Sequence, residues 1–160
     1  MDIRVYSRAK ASFYCTEPHS TESVIISIST PGRKYIHSPF TSKDNKVLEI
    51  LNLEFCDADR AGDHDVYGYI TTEADVMNDE DARRIAELVE AHKDARIIVH
   101  CDAGISRSAG IGAALARHYN NDDFEYFTGG RFAPNMRCYY KVLKALGDDI
   151  TPDGAIEIDI

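Results

Sequence analysis

The chain has 160 residues, 44% of them hydrophobic and 28% charged, which is the material of one globular domain. No apolar run approaches the roughly 18 residues of a membrane helix, and the N-terminal Met1–Lys10 stretch lacks the apolar segment of a signal peptide. The expectation is a cytoplasmic monomer with no membrane partner. Eighteen basic residues against 27 acidic ones give a formal charge of −9. That balance argues against sequence-independent nucleic-acid binding, which needs a basic footprint. Any anion site must be organised locally, against the overall field.

In chain order, Ile3–Tyr6 reads as a short strand, and Ser7 is a candidate cap for a helix from Arg8 to Tyr14. Val24–Ile28 is a β-branched strand stopped by the turn signal Thr30-Pro31-Gly32. Val47–Phe55 is a third strand, with Leu51, Leu53 and Phe55 alternating against Asn52 and Glu54. Residues 57–71 are acidic and irregular and read as a loop. Asn78 caps the next helix with Asp81 three residues on, and Ala82, Ile85, Ala86, Leu88 and Val89 form its apolar stripe. Arg96–Val99 is a strand too apolar for an exposed edge. Ser108–Tyr119 reads as a buried helix, and Asn135–Leu146 as a last amphipathic one. The fold class expected is α/β: a single domain spanning residues 1–160, with a central, mainly parallel sheet flanked by helices. In such sheets the site lies where a strand's C-terminal end meets the next helix, and here that is the junction after Val99.

That junction reads His100-Cys101-Asp102-Ala103-Gly104-Ile105-Ser106-Arg107-Ser108. The backbone N–H groups of Asp102, Ala103, Gly104, Ile105, Ser106 and Arg107 can curl around an anion, assisted by the positive end of the helix dipole. Gly104 permits a positive φ. Arg107 offers a planar fork that matches two phosphate oxygens. The same surroundings favour the thiolate of Cys101, a nucleophile next to a phosphate cradle.

These residues resemble the signature of the cysteine-dependent protein phosphatases: His-Cys, five residues, Arg, then Ser or Thr. The wording His-Cys-x-Ala-Gly-x-Ser-Arg-Ser is most similar to the small dual-specificity branch. Arg131 followed by Pro134-Asn135 and a helix is similar to the stretch after the phosphate loop in that branch. The resemblance covers about residues 47–146. It implies Cys101 as nucleophile, Arg107 as phosphate clamp, Ser108 as hydrogen-bond donor to the departing sulfur, and His100 as the residue that orients the loop and stabilises the thiolate. Asn135 would brace the loop. An aspartate after an earlier strand would protonate the leaving oxygen and then activate water. Asp57 follows the Leu51–Phe55 strand directly and is the first candidate, with Asp59, Asp63 and Asp65 as alternatives.

The reaction so implied is hydrolysis of phosphotyrosine in a protein or peptide, extending to phosphoserine and phosphothreonine, with no metal and no cofactor. Two alternatives remain: a phosphatase of a non-protein phosphomonoester (a phosphoinositide, a nucleotide or an RNA 5′ end), and a phosphate-binding module without turnover. The interval between Cys101 and Arg107 has no lysine, which counts against a highly charged inositol phosphate. The other cysteines, Cys15, Cys56 and Cys138, read as buried free thiols. Cys56 and Cys138 are candidate partners for an oxidised Cys101, Cys56 because its strand is expected beside that of Val99.

Overall fold

The β-branched run at Val24–Ile28 becomes a strand with both faces covered, and the rest of the sheet assembles around it. The computed structural model describes residues 1–32, 39–148 and 150. Strands β1 (Ile3–Ser7), β2 (Ser23–Ser29), β3 (Val47–Glu54) and β4 (Arg96–Cys101) form one sheet in the order β1-β4-β2-β3, every pairing parallel. Alternation along each strand divides the apolar residues between two cores. Val24, Ile26, Ile28, Ile97 and Val99 face the larger one, whereas Ile25 and Ile98 face the smaller.

Helix α1 (Arg8–Tyr14) and Phe40 cover the smaller core. Helices α2 (Asp79–Ala91), α3 (Arg107–Asn120) and α5 (Met136–Ala145) cover the larger. A one-turn helix, α4 (Phe124–Phe127), had no sequence signal. The expected caps form: Ser7 Oγ accepts from Lys10 N at 3.1 Å, and Asn78 and Asp81 exchange side-chain bonds with each other's backbone. No helix among the described residues is long and apolar enough to cross a membrane, and all four cysteines are free.

One expectation is corrected. The strand ending near Cys56 is β3, and it pairs with β2; β2 separates it from β4. The reason lies in the side chains. β2 is buried along its whole length and suits the interior, while β3 exposes Asn52 and Glu54 and suits an edge.

Two positions generate stability predictions. Gly110 of α3 faces the start of α5, where a Cβ would lie 2.3 Å from the Asn135 carbonyl oxygen and 3.0 Å from Cys138 Cβ. Alanine gains about 1 kcal/mol in helix propensity, but forcing apart a packed backbone costs roughly 1–3 kcal/mol. The clash involves a carbonyl that cannot rotate away, so it prevails. Gly110→Ala should lower the urea midpoint without changing the slope.

His100 is fully buried in β4, tilted against Phe40 at 4.7 Å between ring centroids. Burial holds its pKa down at about 4. An unfolded histidine titrates near 6.5, so between about pH 6.5 and 4 the unfolded chain takes up a proton that the folded chain refuses. Stability from this site is therefore present above pH 6.5 and lost as pH falls through that window, by roughly 3 kcal/mol at its lower end. Urea titrations at pH 7 and pH 4.5 should show the loss, and His100→Gln should reduce it.

Candidate active site

Parallel pairing brings the C-terminal ends of all four strands to one edge of the sheet, and each end meets the loop between β4 and α3. From β1, the backbone of Tyr6 and Ser7 presses on Gly104. That glycine has φ +73°, and a Cβ there would lie 2.5 Å from Ser7 N and from the Tyr6 carbonyl carbon. Backbone conformation and close approach both require glycine. Just past β2, Thr30 Oγ1 donates to Asp102 Oδ2 at 2.8 Å. Past β3, the Phe55 carbonyl accepts from Arg107 NH1 at 2.7 Å. β4 itself ends in Cys101.

The loop's carbonyls are held away from the cysteine. The Asp102 oxygen accepts from Arg8 N at 3.2 Å, Ile105 from Ala133 N at 3.0 Å, and Ser106 from Gly110 N at 2.8 Å and Asn135 N at 3.0 Å. Turning a peptide carbonyl outward turns its N–H the other way, which is how a loop makes an anion nest. Gly104 N–H donates to Cys101 Sγ at 3.3 Å, and Ser108 Oγ lies 3.1 Å from the same sulfur.

Arg107 is 3% exposed. Its NH1 is held by Phe55, its NH2 donates to Asp102 Oδ2 at 3.2 Å, and its buried Nε has no partner among the described residues. A guanidinium carries five N–H donors. The Nε donor is the one left for a further acceptor.

His100 Nδ1 lies 3.2 Å from the Cys101 carbonyl oxygen. With its pKa near 4 the ring is neutral at physiological pH, so Nδ1 donates there and the ring brings no positive charge to the thiol.

The four candidate aspartates part ways. Asp57 Oδ1 accepts from Ser106 Oγ at 2.7 Å and from Asn135 Nδ2 at 2.9 Å, which ties it to the loop between β4 and α3. Asp59 Oδ1 instead accepts from Met136 N at 3.1 Å, at the start of α5. Asp63 pairs with Arg60 at 3.6 Å. Asp65 organises a turn, its Oδ1 accepting from the amides of Tyr67 and Tyr69, each at 2.9 Å. Asn135 both braces the loop and caps α5, accepting from Cys138 N at 2.9 Å. Arg131 is exposed and lies over the Phe132 ring, 4.8 Å from its centroid.

Burial pushes the Cys138 thiol well up and raises that of Cys56, so both stay protonated near neutral pH. Among the described residues no cluster of His, Cys, Asp or Glu is arranged to hold a metal ion. A cavity of about 240 Å³ runs between Asp57, Asp59 and Ser106. A larger one, about 480 Å³, opens on the other side, where Thr30 and Tyr67 form part of its wall. Both of those hydroxyls reach Asp102. Sequence reasoning missed Thr30 and Tyr67. The available signal was for Thr30: it directly follows a buried parallel strand at the end where sites form.

No family model matches the chain, and no curated protein matches its sequence. Solved structures do match. The crystal structure of a human tyrosine phosphatase-like serine/threonine/tyrosine-interacting protein is 15% identical, with a TM-score of 0.52 over 86% of this chain and 83% of that one. The structure of Tk-PTP in its active form is 14% identical, with a TM-score of 0.50 over 94% of each chain. At such identities the likeness is one of architecture. The chain has the tyrosine-phosphatase fold, as the loop from His100 to Ser108 implied.

Proposed function

We propose that this protein is a cysteine-dependent phosphatase that hydrolyses phosphotyrosine in proteins, with phosphoserine and phosphothreonine as further substrates. The observation that carries the reading is the pairing of Cys101 with a buried arginine at the two ends of one loop. The sulfur receives the Gly104 N–H, and the buried, unpartnered Nε of Arg107 lies at the end of the same loop. A buried, uncompensated guanidinium donor is costly unless a ligand completes it.

In the first step the Cys101 thiolate attacks phosphorus, an S–P bond forms and the P–O bond to the substrate breaks. Arg107 and the loop amides hold the three non-bridging oxygens as charge develops on them. Asp57 gives its proton to the leaving oxygen. In the second step Asp57 takes a proton from water, the water oxygen attacks phosphorus, and the S–P bond breaks to release phosphate. Ser108 Oγ stabilises the departing thiolate. His100 acts through the Cys101 carbonyl, fixing the loop's first peptide without supplying charge. Ser106 and Asn135 keep Asp57 beside the loop.

The deciding assay compares phosphotyrosine, phosphoserine and phosphothreonine peptides with a phosphoinositide panel, in EDTA. Turnover of phosphotyrosine peptide is the expected result. Preference for the lipids would transfer the reading to a non-protein substrate, and a burst of one phosphate per protein would make the chain a binding module.

Two variants test the chemistry. Cys101→Ser should abolish turnover and preserve substrate binding, because a serine hydroxyl does not ionise near neutral pH. Retention of more than about a tenth of the wild-type rate would contradict a thiolate nucleophile. Asp57→Asn should slow phosphotyrosine peptide by about 100-fold or more, and an aryl phosphate with an acidic leaving group far less, since a good leaving group needs little protonation. Equal losses on the two substrates would move the acid to another residue.

A further inference from the structure

Asp102 places a carboxylate in a loop built to receive an anion, and the mechanism above gives that side chain no part. Its Oδ2 accepts three bonds: from Thr30 Oγ1 at 2.8 Å, Tyr67 OH at 3.0 Å and Arg107 NH2 at 3.2 Å. Its Oδ1 is buried and has no partner among the described residues. A negative charge this close to the cradle repels an incoming phosphate. Something must offset that cost.

The offset lies in the guanidinium. A single bond from NH1 to the Phe55 carbonyl leaves Arg107 free to turn about that contact. A second, charge-assisted bond from NH2 to Asp102 fixes the plane of the group, and with it the direction of the Nε–NH2 edge. Orientation matters because bidentate capture fails when the fork is rotated away from the oxyanion.

The carboxylate is anchored from two sides. Thr30 follows β2 in the rigid sheet. Tyr67 comes from an exposed segment, 44% accessible, at a turn closed by a bridge between His64 and Ile70. The turn is shaped by Asp65, which binds the Tyr67 and Tyr69 amides at 2.9 Å. Tyr67 also lines the larger cavity. The placement of this surface turn is therefore connected, through one carboxylate, to the arginine.

We propose that Asp102 is a positioning residue that locks the plane of Arg107 for oxyanion capture, and that Tyr67 links the 64–70 turn to that lock. Part of the test, oxyanion binding, does not depend on the phosphatase reading. Tungstate binding is measured by calorimetry on the wild type, Asp102→Asn, Asp102→Ala, Tyr67→Phe and the Asp102→Ala/Tyr67→Phe double variant, with thermal unfolding as a check on folding. Asp102→Ala should weaken tungstate about tenfold, the loss expected for a charge-assisted bond, with Asp102→Asn in between because it keeps an acceptor oxygen. Tyr67→Phe should weaken binding about threefold alone and add nothing in the Asp102→Ala background, since its effect passes through the carboxylate. In turnover, kcat should fall as KM rises, because Arg107 holds the oxygens in the transition state as well as in the bound substrate, while the leaving-group dependence set by Asp57 should stay as in the wild type.

Equal or tighter tungstate binding by Asp102→Ala would overturn the proposal and make Asp102 an electrostatic brake. An equal Tyr67→Phe loss in both backgrounds would remove the link to the turn. If Asp102→Ala does not fold, Tyr67→Phe still tests it: unchanged tungstate affinity in that variant counts against the link. Wild-type protein that binds tungstate but turns over neither phosphopeptide nor phosphoinositide would sink the phosphatase reading alone.

Discussion

A positive charge buried to 3% exposure governs the arrangement of this molecule's functional edge. Taking a guanidinium out of water costs several kcal/mol unless its donors are met. Arg107 meets the requirement in part, through the Phe55 carbonyl and the Asp102 carboxylate, and its buried Nε has no partner among the described residues. Each partner comes from a different part of the chain: the end of β3 and the loop between β4 and α3. The arginine thus ties the end of β3 to the loop that follows β4.

The same logic extends to the loop's backbone. A bend whose N–H groups converge must send its carbonyls somewhere, and here Arg8, Ala133 and Asn135 receive them. These amides lie at the start of α1 and just before α5. The loop is therefore held in shape by its neighbours, with its dipoles fixed in direction. In a chain of net charge −9 the field at this edge is set locally, by a helix N-terminus, the loop amides and one arginine. The neutral His100 fits this picture. It contributes a hydrogen bond and no charge, and burial keeps it so.

Acidic residues around the site take distinct structural parts despite their density in the 57–65 segment. Asp57 touches the loop, Asp59 holds the first turn of α5, and Asp65 shapes a turn. Proximity in sequence says little about such roles, since a carboxylate's partner is decided by the direction its backbone takes. Asn135 shows the converse. Its cap on α5 and its bond to Asp57 use opposite ends of one amide, so capping and bracing are satisfied together.

The sequence by itself determined the elements and the centre of the site. Periodicity placed β1 to β4 and helices α1, α2, α3 and α5, because apolar alternation and helical stripes are local properties of the chain. The stretch from Cys101 to Arg107 was legible as a strand, a tight glycine bend and a helix N-terminus, because these too are consecutive in the chain. Tertiary structure alone decided strand order and the contacts between distant residues. β3 reads as a neighbour of β4 until β2 is weighed as the strand that must be covered on both faces. The choice of Asp57 over Asp59 as the partner of Ser106, and the meeting of Thr30 and Tyr67 at Asp102, join residues 35 to 72 positions apart. No local pattern encodes such pairs. They exist because parallel strands deliver their C-terminal ends to one edge, where side chains far apart in the chain must satisfy one another's charge and hydrogen bonds.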